Sequence, residues 1–174
     1  MMNKLLGKNN ESSQSAQISL STTNKEEVES FCEKCNESEQ LENEYIFTFG
    51  YGNRKNYDLF LAYLQSYDIK YVIDVRKNPR AWTRRWYGDK IEEFCFSKNV
   101  KYISKIDLGN TSGTQKWIPP HQKKAKAALR EVAEITQQGT VLLLCAEMNP
   151  DKCHRVDVAE KLAKLVSLPV KHLL

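Results

Sequence analysis

Between residues 45 and 174, short apolar runs alternate with segments whose apolar residues recur at helical spacing. Tyr45-Ile46-Phe47-Thr48-Phe49 is a β-rich run stopped by Gly50. Tyr57, Phe60, Leu61 and Leu64 then fall three or four apart, which predicts a helix entered from Asn56 as its cap. Residues 70–75 read as a second strand, 76–88 as a basic loop, and Ile91, Phe94 and Cys95 as one face of a second helix. Residues 101–103 give a third strand and 107–120 a loop with two glycines and a Pro-Pro pair. A third helix is predicted over 121–138, closed by Gly139. A fourth strand covers 141–144, and a last helix covers 151–166 with Pro150 at the turn and Asp151 as cap. Residues 169–173 add an edge strand.

Strands alternating with helices predict an α/β three-layer sandwich, Rossmann-like, with a mostly parallel central sheet. Right-handed crossovers then bring the turns after the strands to one rim. Three turns rich in chemistry end there: 50–54, 74–76 and 145–155. Ligands of open α/β sheets bind on that rim.

Residues 1–44 break the pattern. They are rich in Ser, Asn, Thr, Glu and Gln and lack a large apolar cluster, so the expectation is a disordered acidic tail before a single domain over 45–174. Cap chemistry at Thr23 and Asn24 permits a short helix over 25–35. The tail holds nine glutamates against four lysines, a net of −5, which leaves +9 on residues 45–174. A basic domain favours anionic partners: nucleic acid, nucleotides or phosphorylated metabolites. No apolar run approaches the roughly 20 residues of a membrane span, and Met1–Lys8 lack the apolar centre of a signal peptide. The expectation is a cytoplasmic protein without membrane contact, whose five cysteines stay reduced.

The turn 50–54 carries Gly50, Gly52, Asn53 and Arg54. Glycines allow close backbone approach, and Asn and Arg suit a phosphate or carboxylate. Asp74 and Arg76 end a buried-looking strand, as site residues or as a structural ion pair, with Arg155 an alternative partner for Asp74. Arg80, Trp82, Arg84, Arg85 and Trp86 interleave cations with aromatic faces, the composition of a nucleic-acid contact loop or of a loop packing its own rings. His121, Lys123, Lys124, Lys126 and Arg130 make a basic helix face. Cys145, Glu147, Cys153, His154 and Arg155 gather two thiols, a carboxylate, an imidazole and a guanidinium. Zinc could use Cys145, Cys153, His154 and Glu147, but the spacing is not that of a finger, and no metal is assigned. Cys145 could equally be a nucleophile favoured by its neighbours, or a small core residue. Cys32 and Cys35 form a C-x-x-C pair read as chance, and Cys95 reads as core.

From about Tyr45 to Val166 the chain resembles the domain-of-unknown-function 488 family of small bacterial and archaeal proteins. The motifs are Gly50-Tyr51-Gly52-Asn53-Arg54, then Ile73-Asp74-Val75-Arg76 followed by Pro79, then Leu143-Leu144-Cys145-Ala146-Glu147-x-x-Pro150-x-x-Cys153-His154-Arg155. Gly52 stands where the family often has serine, and Asn110 where a second glycine is usual. The resemblance marks Gly50, Asn53, Arg54, Asp74, Arg76, Pro79, Cys145, Glu147, Cys153, His154 and Arg155 as characteristic, and implies no established activity. A fainter likeness in layout links the chain to rhodanese-type sulfurtransferases, but no compact run of glycines and serines follows Cys145.

Three functional readings follow. In the first, a rim pocket binds a phosphate-bearing substrate, nucleotide or nucleic acid. Arg54, Arg76 and Arg155 hold the anion with Gly50, Asn53 and Cys153 beside them. Asp74 or Glu147, or alternatively His154, is the acid/base, and Cys145 is a conditional nucleophile. In the second, the module binds nucleic acid without catalysis. In the third, Cys145 transfers sulfur. The residues name no cofactor and no oligomeric state, and leave open whether the protein is an enzyme.

Overall fold

The structure, a computed structural model, describes residues 45–174. The expectations for residues 1–44, including the tail, the helix over 25–35 and the Cys32/Cys35 pair, lie outside the described residues. The chain runs β1 (Ile46–Gly50), α1 (Asp58–Ser66), β2 (Tyr71–Asp74), α2 (Gly88–Phe96), β3 (Lys101–Ser104), α3 (Gln122–Thr136), β4 (Val141–Cys145), α4 (Arg155–Val166) and β5 (Val170–Leu173). The five strands form one sheet in the order β3-β2-β4-β1-β5, with every pair parallel. No helix among the described residues is long and apolar enough to cross a membrane.

The strand sequences explain the layering. β1, Ile-Phe-Thr-Phe-Gly, and β4, Val-Leu-Leu-Leu-Cys, are buried at every position, as central parallel strands covered on both faces must be. Alternate residues feed two cores. Ile46, Ile73, Val141 and Leu143 meet Ala128, Leu129 and Val132 of α3 and Val158, Ala159 and Leu162 of α4. Phe47, Phe49, Val72, Leu142 and Leu144 meet Phe60 and Leu64 of α1 and Ile91 and Cys95 of α2. Two helices therefore cover each face.

This distribution positions the site. β1 and β2 lead into helices on one face, while β4, lying between them, leads into a helix on the other. The chain thus parts on both sides of β4, and the crevice outside the carboxyl ends of the three strands is the topological switch point.

Several boundaries differ from expectation. α1 begins at Asp58 with Tyr57 in the cap position, and Asn56 bonds the Asp58 carboxylate instead of capping. The basic loop contains a short 3-10 turn, Arg84–Trp86. The last helix starts at Arg155 rather than Asp151. A 3-10 turn, Pro150–Lys152, comes first, and its cap is Asn149, whose side chain accepts from the Asp151 amide at 2.9 Å. Cys153 is thereby extended and His154 becomes the residue entering α4.

Candidate functional site

The turns after β1 and β4 are stitched together by backbone bonds. Tyr51 N–H donates to the Cys145 carbonyl at 3.2 Å, and Gly52 N–H to the Ala146 carbonyl at 2.8 Å. On the other side of β4, Val75 N–H donates to the Leu144 carbonyl at 3.0 Å. Such contact leaves no room for a side chain at position 50: a Cβ there would lie 1.9 Å from the Glu147 carbonyl oxygen. Gly52, with φ +50°, adopts a left-handed conformation that glycine takes without strain.

Beneath the turns lies a buried polar layer. Asp74 is fully buried and Arg76 is 4 % exposed. Arg76 Nε donates to both Asp74 oxygens at 2.8 and 3.0 Å, and Nη2 to Oδ2 at 2.5 Å. Nη1 reaches the Trp86 carbonyl at 2.8 Å and the Tyr51 hydroxyl at 3.3 Å. Tyr102 donates to Asp74 Oδ2 at 2.6 Å. Burial opposes the Arg76 charge, but the bonds to Asp74 outweigh it and its pKa rises. Burial first, and then the Asp74 charge, pushes the Tyr102 hydroxyl up as well. Asp74–Arg76 is thus the ion pair anticipated as one of two alternatives, and Arg155 is not its partner.

Arg155 is fully buried. Its Nη1 donates to the Glu147 carbonyl, its Nη2 to the Met148 carbonyl at 3.0 Å, and its Nε to Thr48 Oγ1 at 3.4 Å. It straps the β4 turn to the sheet. Two of the three guanidiniums expected to grip an anion, Arg76 and Arg155, are therefore spent on the protein's own oxygens.

Cys145, Cys153 and His154 come together at the root of the same turn. Their exposures are 5, 3 and 9 %. Cys145 Sγ lies 3.9 Å from His154 Nδ1, and His154 Nε2 lies 3.0 Å from the Val75 carbonyl. A carbonyl only accepts, so Nε2 donates to it and Nδ1 faces the sulfur. The Cys153 thiol, hydrogen-bonded to the Cys145 sulfur, lowers the Cys145 pKa against the effect of burial. The same bond, with burial, raises Cys153 to about 12.

Above this layer opens a cleft of about 1000 Å³. Asn53, Arg54 and Lys55 line one wall, Arg80, Trp82 and Tyr87 another, and Ala146, Glu147 and Met148 the third. The Trp82 indole is fully exposed. Arg54 folds back, its Nη1 donating to the Gly50 carbonyl at 2.6 Å and its guanidinium 4.9 Å from the Phe49 ring centre. Among the described residues the side chains of Lys55 and Arg80 have no ion-pair partner. Glu147 is exposed and is the one carboxylate in the lining.

Of the residues singled out in the sequence, the cleft unites Asn53, Arg54, Arg80, Trp82 and Glu147. Gly50, Asp74, Arg76, Cys145, Cys153, His154 and Arg155 lie outside its lining. Arg84 and Arg85 border a separate groove with Tyr57 and Phe94; Arg84 pairs with Asp89 and Arg85 donates to the Lys55 carbonyl. Trp86, expected as a contact residue, is 1 % exposed. It stacks on Tyr51 at 4.7 Å, meets Tyr57 edge-on and donates from Nε1 to the Arg54 carbonyl at 2.8 Å. Its ring faces are occupied, so it packs the core. Lys55 and Met148 were not singled out in the sequence, whereas Tyr87 closes the arginine–aromatic loop read there as a contact segment. The basic pair Arg54–Lys55 carried a signal for the first, and Met148 carried none.

Fold and site define a class: an all-parallel α/β protein with a basic, aromatic cleft at the sheet's switch point and a thiol–imidazole cluster under it. The model of the family described as Domain of unknown function DUF488 matches residues 56–162, and the chain belongs to that family. The match includes Asp74, Arg76 and the whole of 145–155, while the 50–54 turn precedes it. Neither the curated proteins nor the solved structures gave a match.

Proposed function

We propose that the cleft binds a phosphate-bearing ligand that also carries a nucleobase, a nucleotide or a single strand of nucleic acid. One observation carries the reading: a fully exposed indole, Trp82, shares a concave surface with Arg54, Lys55 and Arg80. An indole face open to solvent on a concave surface is free to stack on a planar partner. Bases do so with little regard to sequence while cations track the backbone. The anion-holding role falls to Lys55, Arg80 and Arg54 rather than to Arg76 and Arg155, which are saturated.

Glu147 is the acid/base of this reading, since it is exposed in the cleft beside the cations. Asp74, locked between Arg76 and Tyr102, is outside the lining and has a structural part. The buried Cys145 sits outside the lining, which argues against its exchanging sulfur with a substrate.

Binding of a short fluorescent single strand tests the proposal. Trp82→Ala should weaken it by about 5- to 150-fold, the worth of one base stacked on an aromatic at ~1–3 kcal/mol. With three cations in the lining, the slope of log K against log salt should be no steeper than about −2. Glu147→Gln should keep binding and lose any turnover that a phosphoester screen detects. Absence of binding at low salt, or equal binding by the Trp82→Ala variant, would refute it.

A further inference from the structure

The thiol–imidazole cluster has no part in the cleft, and its donors have a chemistry of their own. We propose that Cys145, Cys153 and His154 form a binding site for one thiophilic d¹⁰ cation, with zinc(II) as the reference, at the root of the β4 turn. Spacing alone assigned no metal here and left the question open. The proposal does not depend on what the cleft binds.

The geometry is close to a coordination shell. The two sulfurs and a ring nitrogen all lie within 4.8 Å of one another. Donors around a tetrahedral zinc, at about 2.3 Å for sulfur and 2.0–2.1 Å for nitrogen, stand roughly 3.5–3.8 Å apart. The Cys145–His154 separation of 3.9 Å already approaches that range. Rotation of side chains by a few tenths of an ångström to about 1 Å closes the rest.

The surroundings are those of a metal site. The Val75 carbonyl accepts a hydrogen bond from His154 Nε2 at 3.0 Å, which fixes the ring and presents Nδ1, the arrangement that orients metal-bound histidines. All three donors are buried, so an uncompensated pair of thiolates would be costly, whereas a divalent cation with two thiolates is neutral. Two sulfurs and an imidazole without a carboxylate select zinc-like cations over magnesium, calcium or manganese. Glu147, considered as a fourth ligand from the sequence, is not in the cluster. Among the described residues no other Cys, His, Asp or Glu joins it, so the fourth place falls to water or an external ligand.

The donors also come from three backbone settings: a strand end, an extended residue and the entry to α4. Eight positions separate Cys145 from Cys153, too many for any simple finger spacing. The 3-10 turn at Pro150–Lys152 takes up the slack and returns the chain.

The test uses the full reduced chain and a Cys32→Ser/Cys35→Ser form of it, since those two thiols are the other soft donor pair in the sequence. Each is loaded with zinc(II) or cobalt(II), freed of excess metal and analysed. Both should retain one equivalent, the cobalt form should show thiolate-to-cobalt charge-transfer absorption, and zinc should shield two thiols from a disulfide reagent. Cys145→Ser and Cys153→Ser should each lose most of the charge-transfer band. Should either fail to fold, the shielding of thiols in the unmutated chain, mapped by mass spectrometry, still decides. The proposal is overturned if the reduced full chain retains no metal, or if the Cys32/Cys35 form loses it. It also falls if the shielded thiols map away from Cys145 and Cys153, or if these two close to a disulfide while zinc is present.

Discussion

Trp82 and Trp86 stand four positions apart in one loop of similar composition, yet one indole is fully exposed and the other 1 % exposed. The difference lies in what each meets. Trp86 inserts between Tyr51 and Tyr57, so Trp86→Ala should cost about 3–5 kcal/mol in urea unfolding, whereas Trp82→Ala should change stability by less than about 0.5 kcal/mol. Equal losses for both would contradict this division of labour. Asp74 presents the same contrast for charge. Asp74→Asn leaves the Arg76 guanidinium buried without its counter-ion, and a loss of ~3–5 kcal/mol is expected from denaturant midpoints. A merely catalytic aspartate would leave those midpoints unmoved.

Among the elements, the junction of β1 with the β4 turn is the most demanding. Gly50→Ala drives a methyl into the Glu147 carbonyl, and the turn must move or the strands part. We expect a loss of at least ~1–3 kcal/mol, with displacement of Glu147 visible as weaker binding in the cleft. Retention of both stability and binding would mean the contact is loose. The elements themselves were largely legible in the sequence. β1, β2 and β4 are β-branched, aromatic or leucine runs closed by turn chemistry, and the rim residues follow from parallel pairing. Less legible was which rim residues face the cleft. Arg76 and Arg155 look like anion binders because side-chain types alone do not reveal their partners: Tyr51 and the Trp86 carbonyl come from other turns, and the carbonyls of 147 and 148 are backbone. An arginine–aromatic loop has the same composition whether its rings meet a ligand or each other. The start of α4 was misplaced because Asp151 is a good cap residue, while here Asn149 caps a 3-10 turn before it.

At the scale of the molecule, the sheet edge near the last strand is tied by Thr48 Oγ1 and His172 Nδ1, 2.8 Å apart. Burial first, and then the Arg155 charge, holds the His172 pKa below its ordinary 6.5, with Asp151 and Glu160 opposing. The unfolded chain therefore takes the proton more readily. This contribution to stability is complete above about pH 6.5 and drains away as pH falls through the lower folded value. The denaturant midpoint should decline over that window, and less so for His172→Gln; an unchanged pH profile in the variant would remove His172 as the cause. Because every strand runs the same way, the end of the molecule where strands begin carries none of this chemistry. There Gly139, in a left-handed bend before β4, turns the chain beside Lys70. A dye, tether or short peptide spliced in between Gln138 and Gly139 should leave the opposite end unobstructed, so a chain anchored to a sensor by that bend would present its ligand-facing side to solution.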